Sequence, residues 1–295
     1  MTDRTMHVGP LLHLGTTRGF ERLTQRLLAV LAAEAEEVVV PRGESLMSPR
    51  EPAQSVYVVV DGRVEVVEHG HRVVAGPGEA VGLLEVLARE AAGGEARAEV
   101  DTVALRLDGD ILREAQERHF GILSGFLEEV ASRLVRSPAA TLAAVRGAEG
   151  QEPLGPQLDR VRRLLALHRS PAFPSASMDA LAELADHMRE VRLAPGEHLW
   201  TVGEPSTFFH VVCAGTIRYV GPGWSDAPLI GPGGVPGMPA TLAGTTRTLE
   251  ALATTDTTAL VLGHEAFLDV LEDHFDMASG ILARLAGVLL APVAR

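Results

Sequence analysis

The chain has 295 residues, 46% of them apolar, with a formal net charge of -13. That length accommodates one large or two mid-sized domains. The acidic balance argues against DNA as the main partner, because a nucleic-acid binder needs a cationic footprint to displace counterions from phosphate. The single cysteine, Cys213, excludes an internal disulfide and any cysteine-cluster metal site.

In chain order, the N-terminal MTDRTMHVGP has no basic region followed by an apolar stretch. An amphipathic helix is predicted around Leu28 and Leu31. The rich apolar stretch from Leu27 to Val40 is broken by Glu34, Glu36 and Glu37. No stretch reaches the roughly 18 uninterrupted apolar residues of a membrane span, so a cytoplasmic protein without membrane contact is expected. Short β-rich runs follow, Ser55 to Val60 and Arg63 to Val67. Turns at Pro41-Arg42-Gly43, Asp61-Gly62 and Gly76-Pro77-Gly78 separate them. A helix is predicted over 120–135. Residues 137–157 hold Ser137-Pro138, Gly147, Gly150 and Pro153 and read as a linker with some helix. From Leu158 to His168 the spacing is helical, with Val161, Leu164, Leu165 and Leu167 on the apolar side and Arg160, Arg162, Arg163 and Arg169 outside. The same series then recurs: a helix at Leu181 and Leu184, a strand from Phe208 to Val212, the turn Gly231-Pro232-Gly233 and a helix over 276–290. Cys213, after Val211 and Val212, reads as a buried small hydrophobe.

The recurrence has a constant offset. Adding 153 takes Phe20 to Phe173, Leu28 to Leu181, Gly43-Glu44 to Gly196-Glu197, Glu51-Pro52 to Glu204-Pro205, and Gly62 to Gly215. Adding 155 takes Gly76-Pro77-Gly78 to Gly231-Pro232-Gly233, Gly82 to Gly237, Asp101 to Asp256, and His119-Phe120 to His274-Phe275. The two extra residues fall where a hairpin turn absorbs an insertion cheaply. Two copies of one domain are expected, over 14–136 and 158–295, joined by 137–157. The expected class is mainly β with flanking α: two tandem jelly-roll-like β-rolls, each with N- and C-terminal helices.

Helix, roll and closing helix, with Pro195-Gly196-Glu197 early and Gly231-Pro232-Gly233 midway, resemble the cyclic-nucleotide-binding domain family. Catabolite-activator transcription factors and protein kinase A regulatory subunits have this fold. The resemblance implies a short ligand cassette. A glycine opens a small helix whose free N–H groups face the phosphate, and glutamate follows to hold the ribose. Nine residues later an arginine forks onto the phosphate, often with Ser or Thr after it. In the first copy Gly82 keeps the glycine, but Leu83 stands for glutamate and Ala92 for arginine. Glu79, Glu85 and Glu90 add charge that repels phosphate, and Arg89 lies three residues early. The second copy has Gly237, then Met238 for glutamate, Pro239, Arg247 at the arginine and Thr248 at the hydroxyl. The first copy is therefore expected to be ligand-incompetent. The second is expected either to bind a cyclic nucleotide or other phosphate ligand through Arg247 and Thr248, or to retain Arg247 as a surface residue in a local ion pair.

His69-Gly70-His71 has metal-binding spacing but no third ligand, and falls at an expected hairpin tip, so no metal is expected. His119 and His274 recur before the closing helices and read as packing or capping residues. No P-loop, Gly-x-Ser-x-Gly or His-Glu-x-x-His run occurs. The last helix carries two apolar stripes, one with Ile281 and Leu285, the other with Leu282 and Leu289. Two apolar sides require two burials: one on the helix's own roll, the other at an interface with a partner or against the first copy, and the resemblance favours a homodimer through this helix. The chain stops at Arg295, which leaves no room for the helix-turn-helix of catabolite activators. The expected function is a non-enzymatic regulatory or interaction protein acting on an unidentified protein partner. The alternative is a sensor using the second copy.

Overall fold

Short polar side chains at the chain's turns start its helices. Thr24, Asp108, Ser137, Asp159 and Ser177 each accept an N–H of the first helical turn that follows. The chain is a computed structural model that describes residues 8–49, 51–68, 71–89, 94–148, 150–155, 158–221 and 228–291. The first copy runs α1 (Val8–Thr16), α2 (Gln25–Glu34), β1 (Glu36–Val40), β2 (Ser45–Met47), β3 (Ser55–Asp61), β4 (Val64–Glu68), β5 (His71–Ala75), β6 (Ala80–Val81), α3 (Leu83–Ala88), β7 (Gly94–Ala98), β8 (Thr102–Asp108), α4 (Gly109–Arg118) and α5 (Phe120–Val135). After α6 (Pro138–Val145) and α7 (Arg160–Arg169), the second copy runs α8 (Met178–His187), β9 (Arg189–Leu193), β10 (His198–Trp200), β11 (Phe208–Ala214), β12 (Ile217–Val220), α9 (Met238–Leu242), β13 (Glu250–Ala253), β14 (Thr257–Gly263), α10 (His264–Asp273) and α11 (Phe275–Leu290).

The strands form antiparallel sheets in the orders β1-β8-β3-β6 and β2-β7-β4-β5 in the first copy, β11-β14-β9 and β10-β13-β12 in the second. The sequence offsets are sheet register. Glu36 pairs with Arg106 and Met47 with Ala96; Arg189 pairs with Val261 and Trp200 with Ala251. Each roll therefore has the same two-sheet core of three paired strands per sheet, to which the first copy adds β6 and β5, and the chain is mainly β with flanking helices, as expected.

The first roll is filled by small aliphatic side chains, Met47, Val59, Val64, Ala75, Val81 and Ala96. Beneath it Phe20 meets Phe126 edge-on at 5.5 Å. In the second copy Phe209 and Phe173 both pack on Phe267 of α10. The repeated Gly62 and Gly215 have φ of 95° and 83°. A Cβ on Gly215 would stand 2.4 Å from the Asp256 carbonyl oxygen, and one on Gly62 would stand 2.8 Å from that of Asp101. Glycine at the turn and the paired aspartate recur together because the two backbones touch there. The copies differ at one cap: the Asp108 carboxylate accepts from the N–H groups of Asp110 and Ile111 at 2.9 and 3.4 Å, whereas α10 begins at Gly263 with no side-chain cap.

Three expectations change. Two compact units divide the chain, one running to Glu129 and grouped with residues from 289 onward, the other spanning Val130–Val288. The segment read as a linker is built into the second unit. Ala144 and Val145 of α6 are buried, the Val145 carbonyl accepts from Val235 N–H at 2.8 Å, and Leu154 N–H donates to Cys213. On α7, Val161 and Leu165 are exposed and Ala166 and Leu167 are buried. Arg163, expected outside, is half-buried and donates to the Leu158 and Met188 carbonyls at 3.1 and 3.0 Å. Capping those carbonyls turns the helix away from the pure apolar periodicity. Finally, Ile281, Leu282 and Leu285, expected to offer an interface, are buried within the single chain, and of the four only Leu289 is partly exposed. Interior side chains do not present a dimer face. His119 and His274 are the C-caps of α4 and α10, and His274 Nε2 lies 2.8 Å from Glu183.

Candidate functional site

The second copy's cassette begins at Gly237, in the left-handed region with φ of 92°, which opens the short α9 with Met238 and Pro239 in its first turn. Met238 is fully buried. The following loop returns Arg247 to this helix start. Arg247 is 3% exposed, so it is an interior residue, which overturns the surface ion pair as its alternative role. Its Nη1 donates to the Gly237 carbonyl at 3.3 Å and its Nη2 to the Phe208 carbonyl. The guanidinium lies 4.1 Å from the Trp200 ring centroid and 5.1 Å from that of Phe208.

Sheet register builds this aromatic box. Trp200 ends β10, Phe208 and His210 stand two apart on one face of β11, and Tyr219 comes from β12. Trp200 stacks on His210 at 5.9 Å and meets Tyr219 at 6.1 Å. The indole N–H donates to the Leu249 carbonyl, and Gly237 N–H donates to the Tyr219 hydroxyl, both at 2.9 Å. That hydroxyl takes one of the helix-start N–H groups that the family resemblance assigns to a phosphate.

Burial governs the electrostatics. It pushes Arg247 down to about 10, opposed by Tyr219 and Glu204, so the guanidinium stays charged at neutral pH. Burial, then the Arg247 charge, drive the His210 imidazole down to about 3, and burial drives the Tyr219 hydroxyl up to about 12. His210 is therefore neutral. Two polar atoms here are buried without a hydrogen-bond partner among the described residues, Arg247 Nε and His210 Nδ1.

The structure thus brings Gly237, Met238 and Arg247 together, and leaves Thr248 exposed beside them. In the first copy Gly82 also opens a helix from the left-handed region, with φ of 83°. Leu83 and Glu85 are buried, and Glu79 accepts from Gly76 N–H at 2.8 Å across its own turn. Arg89 is exposed at the C-cap of α3, with φ of 56°. Ala92 and Glu90 lie outside the described residues, as do His69 and Gly70; His71 is exposed at the start of β5. Among the described residues no group of three or more potential ligands could hold a metal, and no helix is long and apolar enough to cross a membrane.

The aromatic box went unread in the sequence. Its signal was available in the repeat: Trp200, Phe208, His210 and Tyr219 stand where the first copy has Met47, Ser55, Tyr57 and Val66. Three of the four, Trp200, Phe208 and Tyr219, are larger than their counterparts, which means a fuller interior.

The family model of the cyclic nucleotide-binding domain matches residues 37–119 and again 190–274, more than half of the chain. The chain belongs to the cyclic nucleotide-binding domain family and carries that domain twice. Among solved structures it is similar to the regulatory subunit of a cAMP-independent protein kinase A from Trypanosoma cruzi bound to guanosine, at 18% identity over 92% of this chain and 87% of that one, with a TM-score of 0.35. A cyclic nucleotide-binding-like protein from Brucella abortus is 29% identical over 37% of this chain and 97% of its own, with a TM-score of 0.32. The N-terminal domain of a transcriptional regulator from Streptomyces coelicolor is 28% identical over 42% of this chain and 91% of its own, with a TM-score of 0.38. No curated protein sequence matches the chain.

Proposed function

We propose that the chain is a non-enzymatic regulatory protein that acts through contacts with other proteins, and that neither copy holds a cyclic nucleotide in the family's cassette. One observation carries this reading. The arginine that should fork onto a phosphate spends its two terminal nitrogens on the Gly237 and Phe208 carbonyls, and Trp200 covers its face. A phosphate would have to displace bonds already made to a buried cation. In the first copy Leu83 replaces the ribose-binding carboxylate and Ala92 the arginine. Calorimetric titration with cyclic AMP and cyclic GMP tests the reading, with no saturable heat expected up to about 1 mM ligand. Binding of one equivalent would overturn it.

A second reading has one observation in its favour. Arg247 Nε and His210 Nδ1 are buried and unpartnered, and a phosphate or ribose oxygen would satisfy them. On that reading the second copy is a sensor, and Arg247→Ala abolishes its ligand binding. The protein partner of the first reading is unidentified, and homodimerisation through α11 would have to use its partly exposed end near Leu289.

A further inference from the structure

Strand alternation places Arg189, Val191 and Leu193 of β9 on one face and Glu190 and Arg192 on the other, where those two pair at 2.8 Å. Sheet register extends the first face into a row, Arg189 to Val261 to His210. The equivalent row in the first copy is Glu36 to Arg106 to Tyr57, and there Arg106 is neutralised by Glu36 at 2.7 Å. The second copy has exchanged both members of that pair. Valine replaces the arginine, and arginine replaces the glutamate. Arg189 is exposed and has no side-chain partner among the described residues.

This row floors a cleft of about 580 Å³ in the second unit, a size suited to a small molecule. Its polar lining is Thr207 and four nitrogen-bearing side chains, His187, Arg189, His198 and His210, with no carboxylate among the described lining residues. Of these, His198 faces Glu250 at 3.8 Å, and His210 is 4% exposed with Nδ1 unpartnered. Its apolar lining includes Leu193, Phe208 and Val261. The lining includes none of Gly237, Met238, Arg247 or Thr248, so the cleft lies beside the cassette, with Phe208 and His210 as the wall they share. In a chain of net charge -13, an unpaired cation beside three imidazoles and an apolar wall is a local reversal of sign.

We propose that this cleft binds a small organic anion with an apolar body. The carboxylate pairs with Arg189, and the body lies on Phe208, Val261 and Leu193. The ligand restores, from outside, the ion pair that the first copy makes between Arg106 and Glu36.

Trp200, stacked on His210, reports on the cleft by its fluorescence once the chain's other tryptophan is removed by Trp224→Phe. Octanoate is titrated into that protein, with octanol as the neutral match and inorganic phosphate as an anion lacking an apolar body. A saturable emission change with octanoate is expected, weaker with octanol and absent with phosphate. Arg189→Ala is expected to weaken octanoate about tenfold, and Arg189→Glu, which installs the first copy's residue, to abolish it. Both changes lie at an exposed strand position, and an unchanged melting temperature would verify the fold. Equal responses to octanoate and octanol, a response to phosphate alone, no saturable response, or octanoate binding unaltered in Arg189→Ala would each overturn the proposal.

Discussion

The Arg247 guanidinium lies 4.1 Å from the centre of the Trp200 ring, inside the second roll rather than at its surface. A charge so placed is held by backbone carbonyls and by the negative face of an indole. It ties the loop after α9 to the start of that helix and to the first residue of β11. The residue that a sequence comparison marks for a ligand has become part of the packing.

Arg247→Ala should therefore unfold more easily than the parent by about 2–4 kcal/mol, since it loses two charge-assisted bonds and a stacked face and regains part of the cost of burying the charge. Urea denaturation measures it. A change within a few tenths of a kcal/mol would mean the guanidinium is dispensable to the fold.

His210 is predicted to make stability fall with acid. In the unfolded chain its imidazole takes a proton near 6.5, whereas in the fold it does so only near 3. The folded form therefore holds its full advantage above about 6.5 and loses it as the pH falls from there toward 3. Between pH 7 and pH 5 the parent should lose about 2 kcal/mol more than His210→Gln. Parallel denaturation curves for the two proteins at both pH values check this.

Cys213 should be inert in the native chain. It is 1% exposed, and burial, followed by the Glu190 charge, raises its thiol to about 12. A thiol reagent at about pH 8 should leave the folded protein untouched and titrate one equivalent after denaturation.

Gly215→Ala should cost about 3 kcal/mol, because it combines a left-handed φ with a Cβ that meets the Asp256 carbonyl. Gly196→Ala, with a left-handed φ of 89° but nothing within 4 Å of the new atom, is the matched control and should cost only about 1 kcal/mol. Thermal melts of both proteins compare them.

The repeat made the architecture legible. Offsets of 153 and 155 are the register differences of paired strands, so turns and strand partners could be matched from residues alone. The identity of the cassette residues was equally legible. Their environment was not, since an arginine in a motif reads the same whether it faces a ligand or its own chain's carbonyls. The aromatic box was hidden because Trp200, Phe208, His210 and Tyr219 sit on three strands and meet only through sheet pairing and closure of the roll. The apolar run of α11 read as one face for its own roll and another for either a partner or the first copy. In the fold Ala278, Ile281, Leu282, Leu285 and Ala286 are all buried, so a stripe count did not distinguish an interface from an enclosed helix.

Asp108 and Gly263 stand at the same point of the repeat, before the helix that follows the last strand of each roll. A carboxylate pins the first turn of α4, and nothing on the side chain pins that of α10. Under mild denaturant the duplicated helices should then fray unequally, with amide protons in the first turn of α10 exchanging ahead of those in α4. A single missing carboxylate thus gives two duplicated helices different endurance at their first turns.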